Sequence, residues 1–282
     1  MSDGDFTLVK DGHLAIISLN RPDKRNALTG ATLLQLQHLS ESLAEDGDVR
    51  AVIIRAEGKD FSVGADISGM GDRPPQTAVL RRSAEQGARL MRAIREIHQP
   101  TICAIQGIAT GGAACIATAC DFRIAAEGAR IGYGEVKLGI NLMWNALPLA
   151  IELVGNARAK RLVMRGDLVD TETLLSWGFV DELVSRDNLD EAARAMANTY
   201  AALPPVAVQM IKRSANACAG ALSQAIMHAD ADQCGQHGCQ KPEGSALALL
   251  QKRWLTAAQG QECHGALPVW PLWAGTGAGG LL

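Results

Sequence analysis

Aromatic side chains are scarce: four Phe, five Trp and two Tyr, or 4% of the chain. A surface that stacks bases needs such rings, so a single-strand nucleic-acid platform is excluded. An excess of positive charge is missing too. Lys and Arg total 27 against 30 Asp and Glu, a formal net charge of −3. That leaves no electrostatic footprint for nucleic acid or for an anionic membrane. No uninterrupted apolar run reaches the length of a membrane span. The seven cysteines are odd in number and include no CxxC pair, which implies neither a disulfide framework nor a zinc site and predicts reduced thiols. Residues 1–5 show no basic region followed by an apolar one, so no export signal is read and the predicted location is cytoplasmic.

What is present is an ordinary globular profile, 48% hydrophobic and 20% charged over 282 residues. This suits one large α/β domain with a smaller appendage. No internal repeat is visible. Two short strands flank Asp11-Gly12, a hairpin signal. After a polar loop from Asn20 to Thr29, Thr29 is a plausible N-cap for a helix to about Leu43, with Leu33, Leu34, Leu36 and Leu39 on its apolar side. A short buried strand is predicted from Ala51 to Ile54, and residues 71–78, with adjacent prolines, read as mobile. A helix over about 79–97 carries arginines mixed with Glu85 and Glu96, a pattern that reads as a solvated face. Further strands are predicted at 121–125, 129–132 and 180–184. Helices are predicted at about 146–153, 157–164 and 171–177, then to about Ser223 with a break at Pro204-Pro205. Alternation in the first half and helices in the second suggest an α/β core plus a helical appendage. From Trp254 to Leu282 the only charged side chain is Glu262. That portion is expected to be a poorly ordered tail or a chain end altered by a reading-frame change.

The chain is organised around residues 101–117. An apolar run reads as a buried strand, glycines break it at Gly111-Gly112, and an alanine-rich helix begins. Such a junction aims unpaired backbone N–H groups at one point, where an anion or a developing oxyanion can be held. The same glycines also suit a tight turn that only lets strand and helix pack closely. A second glycine-bearing loop, Phe61-Ser62-Val63-Gly64-Ala65-Asp66-Ile67, supplies another donor of the same kind.

With both loops in view, the chain resembles the crotonase superfamily, the enoyl-CoA hydratase/isomerase family. The resemblance rests on Leu19-Asn20-Arg21-Pro22 with Asn26-Ala27-Leu28, on the 61–67 loop, on Gly107-Ile108-Ala109-Thr110-Gly111-Gly112, and on Asp121. It continues through Glu135-Val136-Lys137-Leu138-Gly139, and Glu243-Gly244 with Lys252-Arg253 are similar to the family's C-terminal helix. It implies an α/β crotonase-type (ClpP/crotonase-like) spiral of repeated ββα units with a C-terminal helical region. The implied divisions are a core over 1–200 that binds acyl-CoA, a trimerisation region over 201–253, and the atypical tail. By the same resemblance the substrate is an acyl-CoA or enoyl-CoA thioester, coenzyme A being part of the substrate. No prosthetic group and no metal are expected, and the chain should assemble as a homotrimer or a dimer of trimers. The amides of Ala65 and Gly112 take the place of the oxyanion hole. Lys24 and Arg25 fall where CoA phosphates are met, although these bases also suit a solvated loop. Ala27, Asp66 and Ile67 fall near the adenine, and Lys252 where a C-terminal lysine reaches CoA.

The acid–base residues depart from the family's hydratase pattern. Hydratases use two glutamates, and here one position is Glu135 while the other is Cys115. Adding water requires activation of the water and delivery of a proton, work that two carboxyls divide. One carboxyl suits a proton shuttle, so 3-enoyl to 2-enoyl isomerisation is placed slightly ahead of hydration. The apolar neighbours Leu138, Leu142, Met143, Trp144 and Leu147 should raise the Glu135 pKa. Without the resemblance, Glu135 would read as a strand-end carboxylate paired with Lys137. Cys115 reads as a small buried hydrophobe rather than a nucleophile. Tyr133 and Asn141 are candidate polar contacts to the acyl group. The alternatives are a hydrolase or decarboxylase of the same superfamily, or a non-catalytic acyl-CoA-binding protein.

Overall fold

The computed structural model describes residues 4–66 and 77–223. The expectations for Ile67, residues 71–76, the 224–253 stretch with Lys252, and the 254–282 tail fall outside these residues.

A hairpin opens the chain, β1 (Phe6–Asp11) pairing antiparallel with β2 (Leu14–Leu19). Helix α1 (Gly30–Ala44) starts at Thr29, whose hydroxyl accepts from the Thr32 amide while the Thr32 side chain returns a bond to the Thr29 N–H. That reciprocal cap satisfies amides the first turn leaves unpaired. Strand β3 (Ala51–Ala56), helix α2 (Thr77–Glu96) and strand β4 (Thr101–Ile105) follow. Next come β5 (Ile108–Thr110), α3 (Gly112–Ala119), β6 (Phe122–Ala126) and β7 (Arg130–Gly132). The remaining elements are α4 (Ala146–Val154), α5 (Asn156–Arg165), β8 (Val169–Asp170), α6 (Thr171–Trp177), β9 (Glu182–Val184), α7 (Leu189–Ala201) and α8 (Pro205–Ser223).

Among the described residues, β1-β2-β3-β4-β6-β9 form one sheet, parallel beyond the hairpin, and β5-β7-β8 form another. The central strands β2, β3 and β4 are buried on both faces, which is why they read as apolar runs. Alternate side chains part cleanly. Ala15, Ile17, Val52, Ile54, Cys103 and Ile105 join the core under α1, α2 and α3. Leu14, Ile16, Ala51, Ile53, Ile102 and Ala104 meet α7 through Leu189, Ala193, Ala197 and Ala201. Those α7 residues recur every four positions, one face of a helix.

Two sequence expectations are corrected here. The stretch from Thr101 to Thr110 is not one strand. Gly107, at φ +60°, turns the chain out of the large sheet, and Ile108–Thr110 pairs with β7 in the small one. A Cβ on Gly107 would stand 2.4 Å from the Lys59 carbonyl oxygen, so the turn requires glycine. On α1, Leu33 and Leu36 are buried, but Leu34 faces solvent at 43% exposure.

Candidate active site

Three segments meet where the chain passes from β5 into α3. Gly111 has φ +58° and ψ −125°, and its amide bonds the Gly132 carbonyl at 3.1 Å. Gly112 is the first residue of α3, so its N–H has no partner within the helix. The chain closes behind it with the Cys115 amide on the Gly111 carbonyl, 3.0 Å.

The second loop is stitched to the first. Ser62 donates its amide to Ile108 and accepts the Thr110 amide, and its hydroxyl donates to the Asn26 carbonyl and accepts the Gly64 amide. Leu28 donates to the Gly64 carbonyl and accepts from the Asp66 amide, both at 2.8 Å. In a parallel bridge of this kind the intervening residue, Ala65, turns its own amide away from Leu28. Gly64 has φ +82°, and a Cβ there would lie 2.6 Å from the Thr110 carbonyl oxygen and 3.6 Å from the Gly112 nitrogen. The two glycine turns are therefore in direct contact.

Glu135 opens a 3-10 turn, Glu135–Leu138, just after β7. Its carboxylate lies over Gly111, where a Cβ would be 3.2 Å from Oε1. Oε2 is buried and has no hydrogen-bond partner among the described residues. Burial pushes this carboxyl above the ordinary carboxylate range, and a bond from its own backbone amide offsets part of the rise. The ion pair with Lys137 that the sequence alone allows does not form: Lys137 binds Asp167 at 2.8 Å. Leu138 is 41% exposed and is not part of the apolar surround.

Tyr133 is fully buried, and its hydroxyl hydrogen-bonds the Thr118 hydroxyl, which in turn donates to the Ala114 carbonyl at 2.6 Å. Burial raises the Tyr133 pKa, with Cys115 and Glu135 nearby adding to the rise. Tyr133 is thus held in the core by its bond to Thr118. Cys115 is buried in α3 beside it.

The loop predicted to meet CoA is braced by its own contacts. Arg25, at φ +51°, places Nε 2.7 Å from the buried Asp60 carboxylate. Arg21 donates to the Ala27 carbonyl at 2.6 Å and pairs with Asp66 at 3.3 Å. Lys24 is exposed, and Ala27 is buried. Arg21, which the sequence marks only as part of the Leu19-Asn20-Arg21-Pro22 motif and without a role, joins the Ala27 and Asp66 loops; no local pattern announces so distant a contact.

Trp144 was read only as an apolar neighbour. It has a left-handed backbone, φ +67°, followed by Asn145 at φ +58°. Its indole packs on two glycines. A Cβ on Gly112 would stand 2.5 Å from Cη2, and one on Gly87, in the middle of α2, would stand 2.0 Å from Cε2 and Nε1. The available signal was Gly87 itself, since a glycine inside a helix costs about 1 kcal/mol against alanine and asks for a close neighbour.

A two-sheet α/β core with a buried carboxylate set against a glycine-led helix start defines a class, the crotonase-fold proteins. Within it, the chain belongs to the enoyl-CoA hydratase/isomerase family, whose model matches residues 10–252. Membership carries the substrate class, CoA thioesters. The chain is 34% identical over 217 residues to the short-chain-enoyl-CoA hydratase of Clostridium acetobutylicum, covering 77% of this chain and 82% of the relative. It is 31% identical over 255 residues to the crotonyl-CoA hydratase of Syntrophomonas wolfei, covering 90% and 97%. A solved enoyl-CoA hydratase/isomerase from Xanthobacter autotrophicus Py2 is similar in structure, with TM-score 0.79 and 28% identity over 91% of this chain and 96% of that one. Among the described residues, no helix is long and apolar enough to cross a membrane.

Proposed function

We propose that the protein catalyses proton transfer next to the carbonyl of an enoyl-CoA, with Glu135 as acid and base and the amides of Ala65 and Gly112 as the oxyanion hole. The observation that carries this reading is the unpartnered, buried Oε2 of Glu135 on a carboxylate that lies over Gly111, one residue from the Gly112 amide. A buried carboxylate with one oxygen free of hydrogen bonds is a stronger base than one in water. The two amides help most when charge gathers on the thioester oxygen, so their contribution is greater in the transition state than in the ground state.

The reaction best matched to one carboxyl is double-bond migration. Glu135 removes a proton from C2 of a 3-enoyl-CoA, the dienolate charge rests on the thioester oxygen, and the same carboxyl returns the proton at C4. The product is the 2-enoyl-CoA, with no atom gained or lost. Cys115 stands where a second carboxyl would divide the work of adding water. The second reading is hydration, favoured by the names of the Clostridium and Syntrophomonas relatives. CoA binding by Lys24, Arg25, Ala27, Asp66, Ile67 and Lys252, and assembly as a homotrimer or dimer of trimers, belong to the same proposal.

Purified protein given 3-enoyl-CoA and 2-enoyl-CoA separately, with double-bond position and water addition followed independently, tests it. Isomerisation is expected, and Glu135→Gln should lower it by about 10²–10⁴-fold. Full activity in that variant removes Glu135 from the chemistry. Water addition without double-bond movement favours hydration instead.

A further inference from the structure

The placement of Trp144 has a use that the acid–base residues do not explain. Three costly features serve one contact. A bulky residue at φ +67° is an outlier, and it is followed by a second left-handed residue, Asn145. Gly87 lies inside the continuous helix α2, between the buried Ala84 and Leu90. Gly112 leaves open the room for a Cβ that the indole then fills from the other side, Cη2 and Cζ3 lying 2.5 and 2.7 Å from that position. The five-membered ring edge rests on Gly87. The indole therefore bridges α2 and the start of α3. On its other flank Gly112 meets Leu28 Cδ1, 3.4 Å from the same Cβ position.

We infer that Trp144 is the wall of the acyl site and sets the length of acyl group accepted, favouring short chains. This rests on the reading that the Gly112 amide receives the thioester oxygen. With the oxygen there, and the carboxylate of Glu135 on the Gly111 side, the acyl chain leaves toward the side that the indole and Leu28 bound. The ring closes the way to α2, so a long chain has no room unless the indole is removed. Trp144 determines specificity by occupying volume.

The test compares binding of saturated butyryl-CoA and decanoyl-CoA by calorimetry in the native protein, Trp144→Leu and Trp144→Ala. Leucine keeps apolar packing against the core should alanine fail to fold, and thermal melts identify variants that do fold. The ratio of decanoyl to butyryl dissociation constants should fall at least about tenfold in the alanine variant, with leucine between. A ratio that stays within about twofold of native in the folded variants, or affinities that change by a common factor, overturns the wall. Saturated thioesters undergo no proton transfer, so this result is independent of the reaction. If the ratio moves while the native protein turns over no enoyl-CoA, the reaction reading fails and the wall stands. Should Glu135→Gln lose activity while the ratio is unmoved, the wall alone fails.

Discussion

At the scale of single residues, the site sets reactivity against stability at Glu135. Its carboxyl is raised above the ordinary range because burial disfavours the charged form. The native chain then binds this proton more tightly than the unfolded chain does. The contribution to stability is complete below the ordinary carboxylate pKa and is lost as pH rises through the higher native value. Glu135→Gln removes the ionisation, so it should melt at a higher temperature than the native protein at about pH 7 and at nearly the same temperature at about pH 4. Scanning calorimetry at the two pH values reads this directly, and an equal offset at both would mean that the buried charge carries no penalty. The same shift places the acidic limb of kcat/KM above the usual carboxylate range, because the base form is the one that takes the proton. Residues of this kind were legible in the sequence only in part. Glu135, Ala65 and Gly112 were marked by motif, and the structure brings Glu135 and the two glycine turns together. Trp144 was not marked for its place, because a contact among residues 87, 112 and 144 has no local period.

At the scale of elements, α3 aims the Gly112 amide only if the helix is held at its far end. That end is tied by Arg123, which is 2% exposed. Its guanidinium donates to the carbonyls of Ala117, Cys120, Asp121 and Phe179, and pairs with Asp181 at 3.3 Å. Four of the five partners are main-chain oxygens at the helix C-terminus and in the segments beside it, groups that a helix leaves unpaired. Arg123→Met would fill the volume but orphan these acceptors, at a cost on the order of 3–5 kcal/mol. Urea unfolding measures the loss, and a change under about 1 kcal/mol would mean that water takes over the arginine's bonds. No local pattern announces this tie, since Arg123 lies within a short buried strand and its partners are spread from Ala117 to Asp181. Strands and helices themselves were easier to read. The apolar runs of β2, β3 and β4 and the cap at Thr29 are local signals, whereas β5 was merged with β4 because only the turn at Gly107 separates them.

At the scale of the whole molecule, the described chain is a doubly covered sheet to which α8 is attached by few polar ties. Lys212 places Nζ 2.6 Å from Asp121 and 2.9 Å from the Gln99 carbonyl, and Asn216 reaches the Arg95 carbonyl at 3.4 Å. Elsewhere α8 exposes Val206, Met210 and Ile211 at 67%, 64% and 69%. The central strands of the sheet, in contrast, are buried on both faces by two apolar cores. Local opening follows the density of buried contacts, so α8 should open at lower free energy than β3 and β4. Lys212→Met removes the charged tie while Asp121 keeps its bonds from the Thr101 amide and hydroxyl, both at 2.8 Å. The carboxylate is therefore not orphaned, and the loss should stay with the helix. Amide exchange across residues 205–223 is expected to quicken by about tenfold or more, with the strands around Ile53 and Ala104 unchanged. If exchange quickens equally in those strands, α8 and the sheet unfold as one unit, and the lysine is a support of the entire core.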